Sequence, residues 1–167
     1  MAELTPQERL QPSLLDRLTD EEPGKAEESR ERRVISATRL RECVTRDLSW
    51  LLNCTHAEAD RSFADAPQAA NSVLNYGIPD LAGISLSGVD VAQMERRIRD
   101  AVIAFEPRLV AETLRVRVRT DQRRMDRKSV VFDIESEMWA QPLPLNLYLK
   151  TEVDLETGRL QISEQAG

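Results

Sequence analysis

Apolar residues recur at helical spacing in two parts of the chain. The first part follows Ser36 and ends near Asn53, with a stripe made of Leu40, Cys43, Val44, Leu48, Trp50, Leu51 and Leu52. The second begins at Ser87 or Asp90, either of which can cap a helix, and carries Val91, Met94, Ile98, Ala101, Val102 and Phe105. Proline disfavours helical backbone in the residue before it, so the second helix is expected to end at Glu106, before Pro107.

Beyond residue 113 the period of the pattern changes from helical spacing to alternation. The first alternating run is LRVRVR, and the second, after the turn-like DQRRMDRK, places Phe132, Ile134 and Met138 between acids. In an antiparallel pair of these two strands, the numbers of any two facing residues have a constant sum. If that sum is 250 or 252, every arginine of the first strand is expected to lie opposite an acid. Leucines from 145 to 155 predict a third strand, and Glu156-Thr157-Gly158 turns into a short fourth through Leu160 and Ile162.

The remaining segments are irregular in composition. Residues 1–33 are expected to form a flexible N-terminal segment with one short motif, PSLLDRL, whose Leu14, Leu15 and Leu18 either fold back on the domain or dock on another protein. The segment after Asn53 is small, polar and broken by Pro67, and SVLNYGIPDLAG predicts a packed, irregular stretch.

The order of elements predicts an α+β fold, with N-terminal helices packed on a three- to four-stranded antiparallel sheet. Residues 34–167 are expected to form a single domain, and 41% apolar residues can supply its core. The outer face of the sheet is predicted to be charged and open.

Charge and composition narrow the function classes. The chain has 29 acidic and 23 basic residues, a net charge of −6, which argues against a protein that mainly neutralises phosphates. No apolar run reaches the roughly 18 residues of a membrane helix and no signal peptide is evident, so we expect a cytoplasmic protein with two reduced cysteines.

Candidate chemistry is sparse. His56 is the only histidine and no motif for a metal, a cofactor or a phosphate is present, so none of these ligands is expected. Arg115, Arg117 and Arg119 lack interleaved aromatic residues and face acids, which favours a solvated charge ladder over an RNA-binding face. An unpaired edge of that strand could still accept another chain.

The seam between helix and sheet, Glu106-Pro107-Arg108, is the most distinctive local feature. Proline fixes the backbone between an acid and an arginine, whose planar fork of donors suits carboxylates and carbonyls. An intramolecular clamp and a contact to a partner both fit this pattern. Glu106 as a general acid is disfavoured, because Arg108 would stabilise its charged form.

Five stretches in order, PSLLDRL, RDLSWLLN, SVLNYGIPDL, AVIAFEPRLV and an alternating strand pair, resemble the TssE family of type VI secretion baseplate subunits, related to the lysozyme-like wedge protein of contractile phage tails. The resemblance covers residues 12 to 165. It implies a structural role at a baseplate docked to the inner-membrane complex.

The resemblance also implies partners. Members of this family lie in the baseplate wedge with TssF and TssG, in the same assembly as TssK, and offer strands to the contractile sheath of TssB and TssC. The candidate edges for that contact are the arginine strand around Arg115 to Arg119 and the C-terminal hairpin around Arg159 to Ile162, and the sequence does not choose between them. The family's glutamate-proline-arginine motif falls on Glu106, Pro107 and Arg108 and is associated with the contact to the helical core bundle of the wedge partners.

Two other functions remain open at this point. The name "lysozyme-like" suggests a peptidoglycan hydrolase that uses Glu106, although no paired acid is evident. An adaptor unrelated to secretion is the other. For the structural role, we expect Arg108→Ala to leave the isolated domain folded and to weaken binding to the wedge partners.

Overall fold

A computed structural model of the chain describes residues 13–19, 24, 36–57, 63, 65–70, 72–82, 90–119, 129–139 and 144–164. The expected flexible segment 1–33 therefore lies outside the described residues except at 13–19 and 24. The predicted turn DQRRMDRK, at 121–128, and the alternative helix start at Ser87 also lie outside them.

Both predicted long helices are present. Helix α1 (Leu14–Leu18) is a short additional helix, α2 spans Ala37–Leu52 and α4 spans Val91–Phe105. The side chain of Ser36 accepts the N–H of Arg39 at 3.1 Å, and Asp90 accepts the N–H of Gln93 at 3.0 Å, so polar side chains cap both helices. The end of α4 before Pro107 confirms the predicted stop.

The described part of the segment between α2 and α4 contains two short helical elements that its composition did not predict. Pro67 does not interrupt it but begins a four-residue helix, α3 (Pro67–Ala70), because proline fits the first helical position. A 3₁₀ turn follows at Val73–Asn75, and its first two residues are exposed, contrary to the expected packing. Ile78 and Leu81 are buried as predicted.

Four antiparallel strands form one sheet in the order β1-β2-β3-β4. They span Arg115–Arg119, Ser129–Met138, Leu145–Asp154 and Leu160–Glu164. Helices therefore precede an antiparallel sheet, and the predicted α+β fold is confirmed.

The register of β1 with β2 is the one in which facing numbers sum to 250. Arg115 lies opposite Glu135 and Arg117 opposite Asp133. Arg119 lies opposite Val131, so the expectation that every arginine faces an acid is wrong for this residue. Its guanidinium instead reaches diagonally to the Asp133 carboxylate, which a long side chain can do across a strand pair.

The core lies between the inner face of the sheet and the apolar stripes of α2 and α4. Its fully buried side chains include Val44 and Leu48 of α2, Val102 of α4 and Phe132 of β2. The predicted stripe of α2 is correct except at Trp50, which is 52% exposed. That exposed indole lies near the corner where α4 meets the sheet.

Candidate partner-binding site

The corner after α4 is fixed to the end of β2 by main-chain hydrogen bonds. The N–H of Val110 donates to the carbonyl of Glu137 at 2.8 Å, and the N–H of Trp139 donates to the carbonyl of Arg108 at 2.7 Å. The N–H of Glu106 still donates to Val102 in the last turn of α4. Main-chain hydrogen bonds thus hold Glu106 before Pro107 and both Arg108 and Val110 after it, so the corner is fixed on both sides.

Arg108 forms ion pairs with two acids at this corner. Its Nε and Nη2 donate to the two carboxylate oxygens of Glu106 at 2.7 and 2.5 Å, and Nη2 also donates to Asp47 Oδ2 at 2.5 Å. Asp47 belongs to α2, so the arginine joins both long helices. We call Asp47, Glu106 and Arg108 the clamp. Of the two predicted roles, the intramolecular clamp is therefore present in the structure.

Burial determines what each member of the clamp can do. Glu106 is only 3% exposed, whereas Pro107 is exposed and Arg108 is partly exposed. Burial alone lowers the pKa of Arg108, but hydrogen bonds and charge from Glu106 and then Asp47 raise it overall. The Arg108 guanidinium donates to both oxygens of Glu106, so this carboxyl group is occupied within the chain and is not available to a substrate as a general acid.

Arg46 extends the clamp towards the N-terminal part of the chain. Its Nε and Nη2 donate to Asp47 Oδ1 at 2.8 and 2.7 Å, and Nη2 lies 2.8 Å from Asp16 Oδ1. Arg108 Nη1 lies 3.9 Å from Asp16 Oδ2. The Arg46 guanidinium also stacks over Trp50, 5.0 Å from the ring centroid. Asp16 of α1 therefore faces two arginines.

Helix α1 folds back on the domain mainly through Asp16, while Leu14 and Leu18 remain largely exposed and Leu15 is about half covered. Ser13 and Asp16 form a capping box, and Ser13 Oγ donates to Asp16 Oδ2 at 2.5 Å. Burial raises the pKa of Asp16, but hydrogen bonds from Ser13, Arg46 and Cys43 outweigh it and lower this pKa to about 2. Leu14, Leu15 and Leu18 are 71%, 45% and 74% exposed.

A cleft of about 510 Å³ opens beside the clamp. The clamp residues and Ser13 form the polar part of its lining. The rings of Tyr76 and Phe105 meet edge to face with centroids 5.2 Å apart, which fixes one wall. The apolar walls are formed by Leu15, Leu48, Trp50, Leu51, Tyr76, Phe105 and Pro107.

The predicted site residues fall into two groups. Glu106, Pro107, Arg108 and Leu15 meet at the cleft, with Leu14 and Leu18 on the same short helix as Leu15. Arg115, Arg117 and Arg119 project from the outer face of the sheet. In the described part of the chain, no hydrogen bond or ion pair joins these three arginines to the clamp.

Sequence reasoning missed Asp16, Arg46 and Asp47. The signal for Asp16 was available, since Ser13-x-x-Asp16 has the spacing of a capping box. Arg46 and Asp47 lie beside the apolar stripe of α2, where charged residues are ordinarily solvated, so nothing local distinguishes them.

Neither a membrane span nor a metal-binding group is found among the described residues. None of the helices within these ranges combines the length and apolarity that a membrane span requires. In the same ranges, no group of three or more histidine, cysteine, aspartate and glutamate side chains is arranged to hold a metal ion.

Fold and site together define an α+β protein with an apolar cleft beside a fixed ionic corner. The sequence model of the baseplate wedge protein gp25 family matches residues 38–143. The chain therefore belongs to the gp25 baseplate wedge family, which is the TssE family, and the resemblance predicted from its motifs is confirmed. No curated protein and no solved structure gave a match.

Membership of this family establishes a phage-like baseplate structural role, in assembly with other baseplate proteins. The match includes α2, α4 and the clamp, and it ends before β3. The motif PSLLDRL and the strands β3 and β4 lie outside it. That the resemblance also covers these parts, as predicted for residues 12 to 165, stays a prediction.

Proposed function

We propose that this protein is a structural baseplate component of a type VI secretion machine, which resembles a contractile phage tail. In this proposal it binds the wedge subunits TssF and TssG, in an assembly that also holds TssK, and seeds the sheath of TssB and TssC through an open sheet edge. Its place is the baseplate docked to the inner-membrane complex. Family membership supports the baseplate role, and the two surfaces described next support the contacts.

The observation that carries the proposal is the cleft beside the clamp. Because Glu106 is buried and holds Arg108, it acts as a support and not as a contact. The exposed Pro107 and Trp50 flank the opening and offer rigid apolar surface to a partner. The elements that line the cleft are helices and loops, so a partner gains side-chain contacts there and no strand pairing.

Backbone direction identifies the more open of the two sheet edges. Asn53, which follows α2, accepts the N–H of Leu160 at 2.9 Å and donates to its carbonyl at 3.1 Å, so the main-chain N–H and C=O of Leu160 point away from β3. Alternate residues share this direction. Ile162 therefore also directs its N–H and C=O outward, and within the described residues no group bonds to them. Among the described residues, nothing therefore covers the edge of β4 beyond Leu160.

The edge of β1 is covered by α4. Glu95 accepts the outward N–H of Val118 at 2.7 Å, and Arg99 donates to the carbonyl of Leu114 at 3.3 Å. A strand that added to β1 would have to displace both side chains, whereas β4 needs no such displacement beyond Leu160. We infer that sheath subunits add to β4. Arg115, Arg117 and Arg119 would then meet a partner only across the outer face of the sheet.

We also infer that the chain is not an enzyme. Glycosidic hydrolysis needs one carboxyl held protonated near a second acid. Arg108 donates to both Glu106 and Asp47, so both acids at this corner are engaged in ion pairs within the chain and neither is free to act on a substrate.

Exchange of one exposed tryptophan tests the wedge contact. Trp50→Ala in the full chain removes the indole at the cleft, and Trp139→Ala removes a similarly exposed indole that does not line it. We expect Trp50→Ala to weaken binding to purified TssF–TssG at least tenfold, since buried interface tryptophans cost about 2 kcal/mol or more. Titration calorimetry measures this affinity. Equal affinities for wild type and Trp50→Ala would contradict the proposal.

A further inference from the structure

The edge of β1 is blunted where the strand begins. The chain pairs with the end of β2 at Leu109, turns away at residues 111–113 and then returns to the sheet as β1. Arg99 of α4 donates to two main-chain carbonyls of this stretch, to Ala111 in the turn at 3.1 Å and to Leu114 just after it at 3.3 Å. An added strand therefore meets an interrupted edge whose first carbonyls are already occupied.

A second side chain of α4 covers the far end of the same strand. Glu95 lies four residues before Arg99, so both side chains project from one face of the helix. The carboxylate of Glu95 accepts the outward N–H of Val118 at 2.7 Å. We call Glu95 and Arg99 the edge caps. An acid occupies a main-chain donor and a base occupies main-chain acceptors, so each cap matches the group that a further strand would use.

The two edges of the sheet fit each other. Successive strands alternate in direction, so the first and the last of four run in opposite directions. In a second copy with the same orientation, β1 is therefore antiparallel to β4 of the first copy. Val118 and Ile162 both direct their main-chain groups outward, and both side chains pack on the core side of the sheet. Copies could continue one sheet without turning over.

Such a contact joins two different surfaces and does not close on itself. A head-to-tail contact leaves an unused edge at each end, so it generates open-ended arrays and not dimers. Among the described residues, the edge of β4 beyond Leu160 has no cap. Only the β1 side therefore stands between this chain and continuous growth of its sheet.

We propose that the edge caps, Glu95 and Arg99, exclude a second copy of this chain: they stop β4 of one molecule from pairing with β1 of the next. The sheet can then accept a strand at β4 and cannot pass the addition on through β1. This inference concerns the chain alone and stands whether or not sheath subunits use the edge of β4.

Removal of both caps from the full chain tests the inference. Glu95→Ala combined with Arg99→Ala, the uncapped variant, loses one acid and one base, so the net charge stays at −6. Glu95→Gln combined with Arg99→Lys is the matched control, because the amide still accepts a hydrogen bond and the ammonium still donates one. The control also loses one negative charge, which reduces repulsion between copies, so its failure to associate is informative.

Sedimentation velocity over a range of protein concentrations measures the mass of the species in solution. We expect wild type and control to sediment as monomers throughout. The uncapped variant is expected to reach at least about twice the monomer mass at high micromolar concentration. Addition of Ile162→Pro to the uncapped variant removes an outward N–H of β4 and should return it to the monomer.

The other results contradict the inference. An uncapped variant that stays monomeric shows that the caps do not exclude a second copy. Association that persists with Ile162→Pro shows that β4 is not the strand that adds, and association of the wild type to the same extent shows that the caps are no barrier.

Cooperative thermal unfolding of each variant excludes association through unfolded chains. If the uncapped variant does not unfold cooperatively, Glu95→Ala alone, with Arg99 in place, is the variant to which the same outcomes apply. None of these measurements includes a baseplate or sheath protein, so their failure leaves the proposed function standing.

Discussion

At the scale of single residues, Arg108 is the group on which the corner depends. Three nitrogen-to-oxygen contacts tie it to Glu106 and Asp47, and its planar fork serves both acids at once. Because Glu106 is almost fully buried, loss of the guanidinium would leave an ionised carboxylate without a cation in the interior. The expectation from sequence alone, that Arg108→Ala spares the fold, is therefore revised.

We predict that Arg108→Ala lowers the free energy of unfolding by about 3–5 kcal/mol, the usual result of removing one partner from a buried ion pair. Urea unfolding followed by circular dichroism measures the change. Arg117→Ala, on the exposed face of β1, is the control and should stay within about 0.5 kcal/mol of wild type. Wild-type stability in Arg108→Ala would show that the clamp contributes nothing to the fold.

At the scale of elements, the sequence pattern predicted the helices and strands that bury a regular stripe or face. The stripes of α2 and α4 and the alternation in β1 and β2 each match one buried side, so period and core agree. Helix α1 escaped prediction because one acid holds it and its leucines are outside the core. The hydrogen bonds that Glu95 and Asn53 make to the edge strands were not predicted either, because these residues are far in sequence from the strands they contact.

The asymmetry between the two sheet edges gives an element-scale prediction. Ile162→Pro removes an outward N–H at the open edge, and Val116→Pro removes the corresponding N–H at the edge covered by α4. We expect only Ile162→Pro to abolish sheath polymerisation seeded by this protein from purified TssB–TssC, as seen by electron microscopy.

Both proline variants must first show cooperative thermal unfolding, so that loss of seeding is not loss of fold. Seeding by Ile162→Pro together with failure by Val116→Pro would reverse the assignment and identify β1 as the acceptor.

At the scale of the whole molecule, α2 links the two proposed surfaces. Asp47 near its end belongs to the clamp, and Asn53 just after its last turn caps β4. Six residues of helix correspond to roughly 9 Å, so the cleft and the open edge are held by one short rigid piece. A partner bound at the cleft would therefore fix where the edge of β4, the proposed sheath contact, lies.

Asn53→Ala tests whether the two surfaces share a support but bind independently. The amide makes two hydrogen bonds to Leu160 and one to Ser49, and we expect its loss to lower the free energy of unfolding by about 1–3 kcal/mol. Asn146→Ala, exposed on β3, is the control for removal of an amide. The substitution leaves the clamp intact, so the affinity for TssF–TssG should stay within twofold of wild type. Seeding of TssB–TssC should fall, because the start of β4 loses its cap. Equal losses at both surfaces, measured by calorimetry and electron microscopy, would mean that they do not work as separate sites.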